Sequence, residues 1–202
     1  MRLFGLLLVL ITFALGSEFE ELKKLLENTQ TIKVSFEQKV VYDWYPKPDI
    51  IKGVFYAKRG GKFRVDYLAP DRITILSDGK KVYLINYEEK TVYVEDFKKN
   101  TSPVIGSLFI LSEQIDEVFK YLGKTEEENV IVLILKPKKQ DNNITLVKVY
   151  LNTDGEILRL KTYDSQGAEI TIEFIEVKRN FKPREELFKI KFPDGFRIVR
   201  YG

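Results

Sequence analysis

Apolar and polar positions change period twice along this chain. From Ser17 the spacing is helical: Phe19, Leu22, Leu25, Leu26 and Thr29 fall on one stripe. Ser17 and Glu20 form the S-x-x-E pattern of a capping box just ahead of it. The spacing predicts an amphipathic helix over about Glu18 to Asn28. From Thr31 the period becomes two. TIKVSFEQKVV, IIKGVFYAK, KFRVDYL, RITIL, KVYLINY and KTVYVEDF read as strands, separated by the turn signals GG, AP, SDG and NYEE. Strands this close together predict an antiparallel meander that curls into a barrel or sandwich.

The alternation then stops. In NTSPVIGSLFILSEQIDEVFKYLG, Ser102 and Pro103 suit a helix start. Val104, Ile105, Leu108, Phe109 and Leu111 predict a short helix that is apolar nearly all round, as a buried one is. Ile115, Val118, Phe119 and Leu122 predict a second, ended by Gly123. Beyond TEEEN the strands resume as VIVLILKP, TLVKVYLN, EILRLKTYD, AEITIEFIEVK and the pair LFKIKF and FRIVRY. The count is about eleven strands and three helical pieces, mainly β, in one domain.

Several strands carry more apolar side chains than a half-buried strand needs. NVIVLIL, IIKGVFYA and VYLINY are apolar or aromatic on both sides. Either these residues fill one another, as in small barrels, or they line a space that takes an apolar ligand.

The N-terminus reads separately. MRLFGLLLVLITFALG has one early cation, an apolar run and small residues at Ala14 and Gly16, the layout of a signal peptide over residues 1–16. The run from Leu3 to Leu15 is thirteen residues, where a membrane span takes about 20. The mature chain would then be residues 17–202, exported.

Composition narrows the chemistry. With 33 basic and 30 acidic residues the net charge is +3, too balanced to imply nucleic-acid binding. Without His or Cys there is no Cys/His zinc site, no Ser-His-Asp or Cys-His centre and no disulfide. A carboxylate-pair hydrolase remains formally possible, and a solvated surface accounts for the acidic residues. A non-enzyme is expected. The chain also lacks the Cys that a lipoprotein acylates after its cleavage site.

An ordered series of motifs completes this picture. SFEQKV (35–40), GVFYAKRGGKFRVDYLAP (53–70), SDGKKVYLINYEEKTVYV (77–94), TSP before the apolar helix, LKPK (135–138), the turn at Asp154-Gly155 and FKIKFPDG near the end follow one another. Together they resemble the LolA family of periplasmic carriers for outer-membrane lipoproteins. That resemblance implies an unclosed β-barrel with an α-helical lid over an apolar cavity for acyl chains. On it, the cavity takes Val34, Phe36, Phe55, Phe63, Val65, Tyr67, Val82 and Leu84, and the lid takes Val104, Ile105, Leu108, Phe109 and Leu111. Arg59 falls on the family's key Arg, which holds the lid closed. The implied partners are acylated lipoproteins, an inner-membrane ABC exporter of LolCDE type, and an outer-membrane acceptor of LolB type or the membrane. The carrier is implied to act as a monomer without cofactor. Gly60, Val65 and Tyr83 depart from the family's Pro and Trp. The alternative on the same fold is a LolB-like receptor or a lipid-sensing module, and the missing Cys opposes the receptor.

Register decides what Arg59 does. With Gly60-Gly61 as a two-residue loop, Arg59 faces Lys62 and points away from the aromatics. With Gly60-Gly61-Lys62 as the loop, Arg59 pairs with Phe63 and shares a face with Phe55, Ala57, Val65 and Tyr67. A slip of one residue moves it across the sheet. We expect the second arrangement, with unpaired carbonyls at a lid helix's C-terminus as the acceptors.

Overall fold

A computed structural model describes residues 17–97, 108, 114–139 and 144–201, the side chains of residues 45 and 46 excepted. Helix α1 (Ser17–Glu27) comes first. Strands β1 (Thr31–Tyr42), β2 (Tyr45–Lys58), β3 (Lys62–Ala69), β4 (Ile73–Asp78), β5 (Lys81–Asn86) and β6 (Thr91–Asp96) follow. After the one-turn helix α2 (Ile115–Val118) come β7 (Phe119–Glu127), β8 (Val130–Pro137), β9 (Ile144–Leu151), β10 (Ile157–Asp164), β11 (Ala168–Arg179) and β12 (Arg197–Arg200). All twelve strands join one sheet in the order β12-β6-β5-β4-β3-β2-β1-β11-β10-β9-β8-β7. The fold is the expected mainly-β, unclosed barrel-like sheet, with one strand more than the sequence count.

Three local expectations are corrected. The second helix stops at Val118, and Phe119 and Leu122 lie in β7. A bulge between Tyr121 and Gly123 sets Leu122 outside the regular pairing and leaves it exposed. That extra residue breaks the two-residue period and imitates helical spacing. LFKIKF forms no strand, because Glu185–Phe188 is a 3-10 turn. The last strand, β12, pairs with β6 in parallel, where the meander predicted only antiparallel neighbours.

The sheet has an apolar layer on each face. The main core lies on the concave side, where Phe19, Leu22 and Leu26 of α1 meet Val34, Phe55, Leu133, Val149 and Leu160. A second cluster of Leu76, Tyr83, Ile85, Val92 and Val94 lies under Ile190 and Phe196 of the C-terminal segment. This explains why VYLINY is apolar on both sides. Tyr83 and Ile85 serve the second cluster, while Val82 packs against the main core.

Gly53 sits where the concave layer is tightest. A Cβ there would lie 2.7 Å from the Phe36 ring and 2.7 Å from the Asp66 carbonyl. The missing side chain lets the Phe36 ring cross β2 and meet Tyr67 edge-on, with centroids 6.0 Å apart. We predict that Gly53→Ala lowers stability by about 1–3 kcal/mol through overpacking. Urea unfolding measures it, and an unchanged midpoint would show that the ring moves aside freely.

Candidate functional site

The β2–β3 hairpin resolves the register. Lys58 pairs with Lys62, Ala57 with Phe63 and Phe55 with Val65. The loop is therefore Arg59-Gly60-Gly61, with Gly60 at φ +97 and Gly61 at φ +87, backbone that glycine adopts without strain. This is neither of the two pairings expected from the sequence. Its parity is nevertheless that of the second, so Phe55, Ala57, Phe63, Val65 and Tyr67 share the concave face. Arg59 itself sits in the loop at the rim of that face, not opposite Phe63.

From the rim, Arg59 reaches the end of α1. Its Nη2 donates to the carbonyl of Leu26 and, at 3.1 Å each, to those of Glu27 and Thr29. Its backbone N–H donates to the Gln30 carbonyl at 2.9 Å. The last carbonyls of a helix have no partner within it, and they carry the negative end of the helix dipole. A guanidinium presents several donors in one plane and suits several such acceptors at once. Acceptors at a helix C-terminus were expected; the helix that supplies them is the N-terminal one.

The other end of α1 is tied to β7 and α2. Glu18 pairs with Lys124, Lys23 pairs with Asp116, and Phe19 stacks on Tyr121 with centroids 5.2 Å apart. The hydrogen bond from Lys124 holds the Glu18 carboxyl below its ordinary range, and that from Lys23 does the same for Asp116.

The concave face is filled unequally. On the β8–β10 half, Leu133, Leu135, Val147, Val149 and Leu160 are all at most 1% exposed. On the β3–β5 half, cross-strand pairing sets Val65, Ile75 and Leu84 in one row and Phe63, Ser77 and Val82 in the next. There Val65, Tyr67, Ile75, Val82 and Leu84 are only half-buried. Burial in this layer raises the Tyr67 hydroxyl's pKa. Val34, Phe36, Phe55 and Phe63, expected to line a cavity, are buried in the main core. Leu84 is on the same face by register without joining that core's packed shell. Of the expected lid residues, Leu108 is buried in the main core, while Val104, Ile105, Phe109 and Leu111 lie outside the described residues.

With that geometry in place, the sequence model described as "Outer membrane lipoprotein carrier protein LolA" matches residues 27–191, most of the chain. The chain belongs to the LolA family. A protein named outer-membrane lipoprotein carrier protein from Nitrosospira multiformis is 25% identical over 197 residues, covering 98% of this chain and 94% of its own. One of the same name from Azotobacter vinelandii is 28% identical over 212 residues, covering 99% and 100%. Among solved structures, an uncharacterized conserved protein from Thermus thermophilus superposes with TM-score 0.58 at 16% identity, covering 91% of this chain and 99% of its own. A LolA superfamily protein from Nitrosomonas europaea gives TM-score 0.50 at 11% identity, covering 86% and 96%. At those identities the structures share the fold alone.

Two measurements probe how α1 is held. Replacing Arg59 with Leu removes the donors from three carbonyls, so exchange of the amides at the α1 C-terminus should speed by roughly tenfold or more, equivalent to about 1–3 kcal/mol. Exchange at the wild-type rate would mean that water replaces Arg59 without cost. Glu18 and Asp116 are held below their ordinary pKa values. They therefore stabilise the fold above the unfolded-state carboxylate range and lose that contribution as pH falls through their folded-state values. Stability of a Lys23→Ala, Lys124→Ala variant should accordingly fall less steeply with acidification than that of the wild type. Parallel curves would show that the two pairs contribute nothing.

Proposed function

We propose that this protein is a carrier which holds the acyl chains of lipoproteins against the β3–β5 half of its concave face. The unequal filling of that face carries the reading. On the β8–β10 half, Leu133, Leu135, Val147, Val149 and Leu160 are at most 1% exposed. The β3–β5 half offers a sheet of half-buried apolar side chains, and Phe97, the last described residue before the apolar 98–113 segment, packs against Phe63. Each buried CH₂ contributes roughly 0.8 kcal/mol, so one acyl chain of a dozen carbons gains about 10 kcal/mol gross. That exceeds the roughly 1–3 kcal/mol net that each of the few hydrogen bonds from Arg59 to the α1 end contributes. The names borne by full-length relatives support the same cargo class.

In this scheme residues 1–16 direct export and are removed, and the mature chain works in the periplasm. The 98–113 segment, with Val104, Ile105, Phe109 and Leu111, is the lid. Arg59 is the latch. Its bonds hold the C-terminus of α1 at the rim of the site, cargo entering beside that rim weakens them, and their return drives release. Loading would come from an inner-membrane ATP-driven exporter, and delivery would go to an outer-membrane acceptor or the membrane itself. The protein's part is binding and transfer, with no bond made or broken.

Native mass spectrometry with a diacylated lipopeptide, beside titration with a fluorescent fatty-acid probe, tests the reading. The wild type should bind both. Val65→Glu and Val82→Glu should reduce probe affinity by an order of magnitude or more, because each puts a charge against the chain. Arg59→Leu should bind but pass cargo to an acceptor more slowly. A silent probe together with no lipopeptide adduct would sink the carrier reading, and normal transfer by Arg59→Leu would sink the latch.

A further inference from the structure

β1 begins between the ends of its two neighbours. Thr31 pairs with Lys58 of β2, and Ile32 pairs with Arg179 of β11. One residue further along, Arg59 stands on one flank of β1 and Asn180 on the other. Both reach residues 28–30, the linker that joins α1 to β1.

Asn180 binds this linker with both ends of its amide. Its Oδ1 accepts from the Gln30 backbone N–H at 2.8 Å, and its Nδ2 donates to the Asn28 carbonyl at 3.1 Å. Only this orientation of the amide serves both, since Gln30 offers a hydrogen and Asn28 a lone pair. Asn180 is itself fixed. Its N–H donates to the Thr31 carbonyl at 2.7 Å, and the Thr31 hydroxyl donates to the Phe181 carbonyl at 2.6 Å. The Phe181 ring lies 6.5 Å from that of Tyr56 on β2. At φ +53, Asn180 has left-handed backbone, which asparagine takes more readily than most side chains.

With Asn180 counted, each carbonyl from Leu25 to Thr31 accepts a hydrogen bond. The Asn28 carbonyl and the Gln30 N–H are the groups that Arg59 leaves to Asn180. The two residues hold in different ways. Arg59 stands on a loop with two glycines and grips the helix end through the tip of a long side chain. Asn180 has a short side chain, touches only the linker, and is bonded to β1 through its own backbone.

We propose that Asn180 is a positioning residue for Arg59. It keeps residues 28–30 in shape while Arg59 is released, so the latch closes again on acceptors already in place. An arginine side chain loses more rotamer freedom on being fixed than an asparagine does, so Arg59 is the half that lets go. The Thr29 and Gln30 carbonyls then stay where Arg59 left them. The part that Asn180 plays in release rests on the carrier reading of the concave face; its hold on the linker does not.

Amide hydrogen exchange tests that hold without cargo. Asn180→Gly keeps the left-handed backbone and deletes both side-chain bonds. Asn180 is exposed, so the change leaves the core intact. Exchange at Gln30 should speed by about threefold to tenfold. Exchange at Asn28 and Thr29 should rise with it, because Arg59 loses its placed acceptors. In Arg59→Leu, Asn28 and Thr29 should exchange faster while Gln30 keeps its wild-type rate. The double variant should exchange at Asn28 and Thr29 no faster than Arg59→Leu, since Asn180 acts on them through Arg59.

Transfer should follow the same order. Asn180→Gly should bind the fluorescent fatty-acid probe as the wild type does. It should pass a diacylated lipopeptide to phosphatidylcholine vesicles about threefold to tenfold more slowly, and the double variant should be no slower than Arg59→Leu. Effects that multiply in the double variant would make Asn180 an independent cap and overturn the proposal. So would a wild-type rate at Gln30 in Asn180→Gly, or normal transfer by that variant where Arg59→Leu is slow. A wild type that takes up neither probe nor lipopeptide refutes the carrier reading instead, and exchange at the three amides then decides the hold on the linker by itself.

Discussion

Helix α1 ends in carbonyls that its own turns cannot satisfy, and Arg59 is a cation drawn in from solvent. Each removes the other's penalty. The contact joins the β2–β3 loop to a helix whose ion pairs and ring stacking are with β7 and α2. Held at Lys124, Asp116 and Tyr121 and at Arg59, α1 packs into the main core with residues of both β2 and β8–β10. The β3–β5 half must be covered by something else. A sheet that never closes would otherwise expose an apolar surface too large for a lone protein in water. The concave face thus has a fully buried part on β8–β10 and a half-buried part on β3–β5.

Much of this was legible because strands have a strict period. Parity put Phe63, Val65 and Tyr67 on one face, but whether Phe55 and Arg59 joined them turned on the loop length, and the three-residue loop was chosen because it gathers the aromatics. The individual pairing was not legible, because Arg59-Gly60-Gly61 and Gly60-Gly61-Lys62 are both three-residue loops that preserve the face. The failures have causes of the same local kind. A single bulged residue, Leu122, disguised β7 as helix. Pro46 and Pro48 hid the first third of β2, since proline argues against a strand except at an edge or a bulge, and these two lie in the irregular stretch between the Tyr42–Tyr45 and Val40–Asp49 pairs.

The second apolar cluster shows what pattern reading misses in principle. An apolar excess on KVYLINY has two explanations, a ligand space or a second covering layer, and the strand itself does not distinguish them. The layer comes from Ile190 and Phe196, more than a hundred residues further on. Part of the surplus that suggested a cavity is therefore ordinary core on the opposite face. The candidate ligand surface shrinks to the half-buried rows on β3 to β5, which makes the carrier reading narrower and easier to refute.

The parallel pairing of β12 with β6 has a consequence for how the molecule is made. A chain synthesised from its N-terminus lays down β6 long before β12 exists. Until the final residues arrive, β6 is a bare edge beside an uncovered cluster of Leu76, Tyr83 and Ile85. During that interval the chain is open to mispairing with other chains. A polypeptide cut short before Arg197 would keep β6 as an unpaired edge.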